Sequence, residues 1–284
     1  MVCRCPVPRA RPRPIFRALV VLAAALAAAP ALVPAAPERP LLSWGVDLAS
    51  SYVDRGADLF TGVYRFDEAT GSYEKEHEPF NPSPAFQPSL TFYGPGGLFF
   101  GLWGSFALTN RDPADGDLAA LDEVDYTLAW AWENRLGSFE AGLANYAAVP
   151  ARGAASEVYL VWGLPLAAGL APTLTHYSDT ASAASYTSLA VGGGEAFTWG
   201  LNVGYGQTAE DPTTGRSEGG IQDVTLSLGY GLGESLSVAF NASYRPTPDL
   251  VGYDKDGKYT VGGEEKDYPP AIFWLTLSAG GEVQ

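Results

Sequence analysis

The chain has almost no sulfur and little imidazole. Its two cysteines, Cys3 and Cys5, lie at the very start, and none follows in the 284-residue sequence. Beyond that start, a disulfide framework, thiol catalysis, a cysteine-ligated metal and a lipidated cysteine are all excluded. His77 and His176 are the only histidines, which excludes a histidine-rich metal centre. Basic residues are scarce too, with 17 Lys and Arg against 32 Asp and Glu and a net charge of −15. Arg4, Arg9, Arg11, Arg13 and Arg17 precede every acid; without them the balance is twelve against thirty-two, or −20. So acidic a chain cannot neutralise phosphates, so nucleic acid is excluded as a partner. Long hydrophobic runs are also missing. After Ala18–Ala29 no stretch is long and apolar enough for a transmembrane helix.

What is present begins with an export signal. The arginines, the apolar run Ala18–Ala29 and small residues around Ala35 and Ala36 follow the plan of a cleavable secretory signal. We expect 1–35 to be that signal, cut between Ala29 and Ala36, and 36–284 to form one domain. Its dominant pattern is alternation. Leu42, Trp44, Val46, Leu48 and Tyr52 share one parity, with Ser43, Gly45, Asp47, Ala49 and Ser51 on the other. Successive side chains of a strand point to opposite faces, so one face is apolar and the other wet.

The same alternation predicts twelve strands: 42–52, 85–93, 98–108, 122–132, 138–146, 156–164, 168–177, 185–192, 197–206, 221–230, 235–244 and 271–279. Segments 138–146 and 185–192 alternate weakly, as bulged strands would. Pro88 and Pro172 fall inside strands, where each removes a ladder donor. The connections 94–97, 133–137, 165–169, 193–196 and 231–234 are short. Those at 53–84, 109–121, 147–155, 178–184, 207–220 and 245–270 are mostly longer and rich in charge, Gly and Pro. Short turns on one rim and long loops on the other mark an outer-membrane barrel. Trp44, Trp130, Trp132, Trp162 and Trp199 then fall near the periplasmic ends of their strands, and Tyr52, Tyr126, Tyr205 and Tyr244 near the outer ends. These are the two aromatic girdles of a membrane barrel. The expected fold is all-β: a closed transmembrane antiparallel up-and-down barrel with periplasmic turns and extracellular loops.

The strings SSYVDRGADL (50–59), PSPAFQPSLTFYG (82–94), GLFFGLWGS (97–105), EVDYTLAW (123–130) and EVYLVWGL (157–164) resemble the TorF family of porins. That resemblance implies an outer-membrane barrel and leaves the solute undefined. The insert 60–81 is longer than the family pattern, and the end, Leu277 to Gln284, lacks the terminal aromatic typical of such barrels. The second departure implies either less efficient recognition by the barrel-assembly machinery or a modified signal to it.

Inward parity carries Asp47, Glu123, Asp125, Glu140, Glu157 and Asp223, beside Gln87, Ser89, Asn202, Thr225 and Asn241. Glu123, Asp125, Glu157 and Asp223 come at the outer ends of their strands and form an acidic mouth. Such a ring either selects cations or only keeps the lumen hydrated. Arg55 either reaches over that mouth, folds its loop inward as a constriction, or makes an ordinary salt bridge at the loop base; Arg245 lies near the same rim. His176-Tyr177-Ser178 is similar to the His-x-Ser of outer-membrane phospholipase, but no asparagine follows in 180–201 and Asp179 has the wrong parity to replace it. Asp112–Asp117 and Asp254–Gly257 lack the ligand spacing of a calcium loop and read as turns.

The expected function is a passive, cation-preferring channel for small hydrophilic solutes, with no catalytic residue, cofactor or metal. Its partners are outer-membrane lipid, its solutes and, during biogenesis, the assembly machinery; a monomer is expected. The alternatives are a plugged barrel whose loops bind a ligand or partner, and an outer-membrane phospholipase.

Overall fold

The computed structural model describes residues 40–55, 57–58, 63–67, 72–76, 83–109, 122–148, 154–165, 170, 172–182, 184–209, 214, 216–247, 250, 258–261, 264–267 and 269–284. The proposed signal and both calcium-like turns lie outside them.

The strands are β1 (Leu42–Ala49), β2 (Val53–Asp54), β3 (Ala57–Asp58), β4 (Val63–Asp67), β5 (Ser72–Glu76), β6 (Ala85–Tyr93), β7 (Leu98–Ala107), β8 (Glu123–Asn134), β9 (Gly137–Ala148), β10 (Ala154–Gly163), β11 (Thr173–Asp179), β12 (Ser185–Gly194), β13 (Phe197–Gln207), β14 (Gly219–Gly231), β15 (Leu236–Tyr244), β16 (Lys258–Val261), β17 (Glu264–Asp267) and β18 (Ala271–Val283). Twelve of them close into one barrel in the order β1-β18-β15-β14-β13-β12-β11-β10-β9-β8-β7-β6. Neighbours along the barrel wall are successive barrel strands, paired antiparallel, and β1 closes on β18 with Leu42 opposite Val283. The pairs β2–β3, β4–β5 and β16–β17 are separate two-stranded ribbons.

Why these residues make a barrel follows from which face is wet. Outward parity carries Leu48, Phe86, Leu90, Phe92, Leu98, Phe100, Leu128, Phe240, Phe273 and Leu275, all exposed; Leu128 is 53% and Phe273 63% accessible. Among the described residues, the largest side chains buried completely are all polar: Asp122, Asp223, Ser51, Ser83, Ser105 and Ser243. A soluble sandwich would invert that order. An apolar exterior around a polar interior is stable only where lipid replaces water outside.

Each of the twelve expected segments overlaps one barrel strand, with informative differences. β1 stops at Ala49, so Tyr52 leaves the wall. β11 begins after Pro172, whose carbonyl accepts from Leu164 N–H at 2.9 Å and ends the preceding connection. That connection, between β10 and β11, is therefore longer than a tight turn, while β9–β10 and β11–β12 are joined by short loops; the strict long–short alternation is broken there. β9 is paired with β8, and β12 with β13, along its whole length without a register shift. The bulge lies elsewhere. Gly204 pairs with Asp223 but Tyr205 pairs with Ile221, leaving Gln222 as the extra residue of β14. In the β6–β7 ladder the residues opposite Gln87 and Pro88 go unpaired, as the missing proline N–H requires.

Tight hairpins sit at the rim where the termini meet. Gly137 (φ 124°) and Gly194 (φ 110°) turn the chain where a side chain would meet backbone carbonyls of Gly163 and Phe197. The same rim holds a stacked aromatic row. Trp130 and Trp132 lie 4.8 Å apart, Trp132 and Phe139 5.4 Å, and Phe139 and Trp162 5.9 Å. Trp130 Nε1 donates to the Gly96 carbonyl at 2.7 Å and Trp162 Nε1 to the Leu136 carbonyl at 2.9 Å. Apolar rings with a polar tip on the turn backbone suit the membrane–water boundary. At the opposite rim Tyr126, Tyr205 and Tyr244 face outward and are exposed. Tyr52 corrects the expected outer girdle: it is buried inside the barrel.

Candidate functional site

The segment after β1 folds into the lumen. Tyr52 packs against Ala85 and Ala107 of the wall, with its ring 5.5 Å from Trp103, and its hydroxyl donates to Glu123 Oε2 at 2.9 Å. Burial, with the charges of Asp54 and Glu123, raises the Tyr52 pKa, so the phenol stays a donor. Directly after Tyr52, β2 and β3 form a minimal hairpin whose turn presents Arg55 to Glu157 of β10. Arg55 has φ 47°, the left-handed region that a residue with a Cβ rarely adopts.

What holds Arg55 there is a set of partners on the wall, with Asp54 Oδ2 3.9 Å from its Nε. Nη1 donates to Glu157 Oε1 at 2.8 Å and Nη2 to Oε2 at 2.6 Å, a bidentate fork on one carboxylate. Nη2 also reaches the Tyr146 hydroxyl at 3.3 Å, and that hydroxyl donates to Glu157 Oε2 at 2.6 Å. The guanidinium carbon lies 4.4 Å from the centre of the Tyr177 ring and 5.1 Å from that of Tyr186, within cation–π range. Burial would lower the Arg55 pKa, but the hydrogen bonds to Glu157 and the charges of Asp54 and Glu157 outweigh it and raise the value. The bulge closes the arrangement: Gln222 Nε2 donates to the Arg55 carbonyl at 2.8 Å. An extra residue in β14 turns Gln222 into the lumen beside Asp223.

Beside this segment is a cavity of about 1020 Å³, lined in part by Asp54, Arg55, Glu123, Asp125, Glu157 and Asp223. Gln87, Asn202, Thr225, Trp103 and Trp274 line it too. Among the described lining residues Arg55 is the only base, set against five carboxylates. Asp223 is fully buried; it accepts from Tyr186 at 2.8 Å and Thr225 at 3.1 Å, and lies 3.4 Å from Asn202 Nδ2. Asp125 Oδ1 has no hydrogen-bond partner among the described residues.

The structure thus brings together Arg55, Gln87, Glu123, Asp125, Glu157, Asn202 and Asp223 from the sequence-derived set. Asp47, Glu140 and Asn241 are not part of this lining. Glu140 accepts from the Tyr159 hydroxyl at 2.6 Å, and Asn241 lies 3.3 Å from Thr276 Oγ1. Arg245 is buried just past the C-terminal end of β15 and donates to the Pro269 carbonyl. Ser89 also stays outside the lining. Sequence reading missed the inward aromatics Tyr146, Tyr177, Tyr186, Trp103 and Trp274, although parity with their neighbours placed each of them inside.

The His-x-Ser string makes no catalytic pair. His176 Nδ1 bonds Thr187 Oγ1 at 2.8 Å on the outer wall, and among the described residues neither Ser178 nor a carboxylate is joined to the imidazole.

No protein-family model matches the chain, and no curated protein matches it. Among solved structures it is similar to the KdgM porin, with TM-score 0.50 and 6% identity over 85% of this chain and 99% of that one. A KdgM porin in complex with disordered oligogalacturonate (TM-score 0.47, 7% identity, 86% and 99% covered) and the NanC porin (0.44, 9%, 84% and 99%) also match. The likeness is one of fold: this chain is a closed twelve-stranded antiparallel barrel with the architecture of a porin.

Proposed function

We propose that this chain is a Gram-negative outer-membrane channel for small hydrophilic solutes, cation-preferring, and narrowed by its own residues 50–58. The observation that carries the reading is the cavity: a space of about 1020 Å³ inside a lipid-compatible wall, lined by five carboxylates and one salt-bridged guanidinium. Excess fixed negative charge in a narrow, low-dielectric passage enriches cations and repels anions. Because Glu157 is paired with Arg55, the preference belongs to the other four, Asp54, Glu123, Asp125 and Asp223. The TorF-like strings agree with a barrel of this kind. The reading includes passage through outer-membrane lipid as a monomer, and it assigns no catalytic role.

The test is single-channel recording of the chain lacking residues 1–35, refolded in a planar bilayer under a salt gradient. Open steps with a cation-sided reversal potential are expected. Glu123→Gln, Asp125→Asn and Asp223→Asn combined leave Arg55 seated and should move that potential toward zero. An unchanged reversal potential in the folded triple variant overturns cation preference. A second reading, a plugged barrel, has one observation in its favour: the infolded segment is bonded to β8, β10 and β14 at once. Correctly inserted but silent protein would establish it instead.

A further inference from the structure

Arg55 is held as a guest is held. Its cage is built by four successive wall strands: Tyr146 on β9, Glu157 on β10, Tyr177 on β11 and Tyr186 on β12. None of these residues belongs to the segment that delivers the arginine. The cage is also organised without it. Tyr146 orients the Glu157 carboxylate at 2.6 Å, and Tyr186 is fixed by Asp223 at 2.8 Å with Asn202 Nδ2 3.3 Å from its hydroxyl. A site whose walls are locked by their own hydrogen bonds binds without paying to order them.

We propose that this cage is a receptacle for solutes carrying a guanidinium group, and that Arg55 is its tethered occupant. The proposal deepens the channel reading and rests on it only for the route by which the solute arrives. The chemistry selects guanidinium over ammonium. Two parallel N–H donors match the two Glu157 oxygens at 2.8 and 2.6 Å, and a planar cation lies against the Tyr177 ring at 4.4 Å. An ammonium is a point charge that can satisfy neither the fork nor the stacking. The adjoining cavity of about 1020 Å³ leaves room for the remainder of such a solute. Arg55 reaches the cage from a two-strand hairpin at a left-handed φ of 47°, so a free guanidinium competes with an occupant held in an unfavourable backbone conformation.

The experiment is a binding titration of the folded barrel in detergent micelles with ethylguanidinium chloride, and in parallel with ethylammonium chloride. In the unsubstituted chain the apparent dissociation constant is the intrinsic one divided by the vacant fraction of the cage. Arg55→Ala removes the occupant and should tighten ethylguanidinium binding by about tenfold or more, the factor expected if a tethered group fills at least nine cages in ten. The gain for ethylammonium should be smaller, and Arg55→Ala combined with Glu157→Gln should erase it. Should Arg55→Ala fail to fold, Arg55→Gln keeps a hydrogen-bonding head on the segment and carries the same expectation. Equal affinity of the variant and the unsubstituted chain overturns the receptacle; equal gains for both cations overturn the guanidinium selectivity. Binding does not require conduction. Tight binding without current would sink the channel reading alone, and current without binding would sink the receptacle alone.

Discussion

Exchange of Ser51 for cysteine would turn the seating of the infolded segment into a measurable rate. Ser51 is 1% accessible and its hydroxyl has no partner among the described residues, so a thiol there costs no hydrogen bond and is shielded while the segment is seated. Beyond Cys5 the chain has no other thiol, so a preparation lacking residues 1–35 reports from one site. Where reclosing outruns the reagent, modification follows the population of the displaced state. Glu157→Gln is the perturbation. It takes the charge from a fork of two bonds at 2.8 and 2.6 Å, and hydrogen bonds to charged groups are worth about 1.5–3 kcal/mol. The two side chains are 22% and 12% accessible, so lumen water screens the pair and the lower figure applies, about 1.5 kcal/mol. That corresponds to roughly a tenfold rise in displaced population. Ser51→Cys with Glu157→Gln should therefore react with a membrane-impermeant thiol reagent about ten times faster than Ser51→Cys alone. Rates equal within about twofold, in protein shown to be folded, would refute the claim that Arg55 and Glu157 hold the segment.

Two further outcomes test the wall and the cage. Leu128→Arg puts a charge on the lipid face midway along β8 and should cost about 2–4 kcal/mol in denaturant titrations of the barrel folded into phospholipid vesicles. Thr127→Arg, on the inward parity next to it, should cost far less; equal costs would mean that the outward face is not in lipid. Gly204→Ala would drive a methyl group into Asp223 Oδ1 and the Tyr186 hydroxyl, both buried and hydrogen-bonded to each other. Overpacking of that kind costs about 1–3 kcal/mol, which thermal unfolding in detergent should register as a lowered midpoint.

The barrel was legible because the physics of a membrane wall is repeated in every strand. Outward Val124, Tyr126, Leu128, Trp130 and Trp132 need no knowledge of the partner strand to be read as one face. Where reading was weak, the cause is local. In β9 the inward positions Gly142 and Ala144 are small because Tyr159 and Ala129 fill the space beside them, and small residues blur the contrast between wet and apolar parity. That made a regular strand look bulged. The real bulge carried its own sign. Ile221 and Val224 both face lipid although an odd step separates them, with Gln222 and Asp223 between, so the parity slips once inside the segment read as 221–230.

The site was legible only as an inventory. Parity put Glu157 and Asp223 inside and left three roles open for Arg55, and nothing local distinguishes them. The partners of Arg55 lie 91, 102 and 167 positions away, so the choice is made by barrel closure. Tyr52 shows why the girdle argument failed beside it: its parity matches the outward face of β1, but the strand ends at Ala49 and parity loses its meaning where pairing stops. The bulge at Gln222 then joins the two levels. A regular β14 would alternate Gln222 outward with Asp223 inward, and the Arg55 carbonyl would lose its donor. One inserted residue instead places an amide on the backbone of the segment and a carboxylate behind the Tyr186 wall of the cage. A wall irregularity that serves both the strap and its receptacle ties the function of the lumen to the register of the sheet.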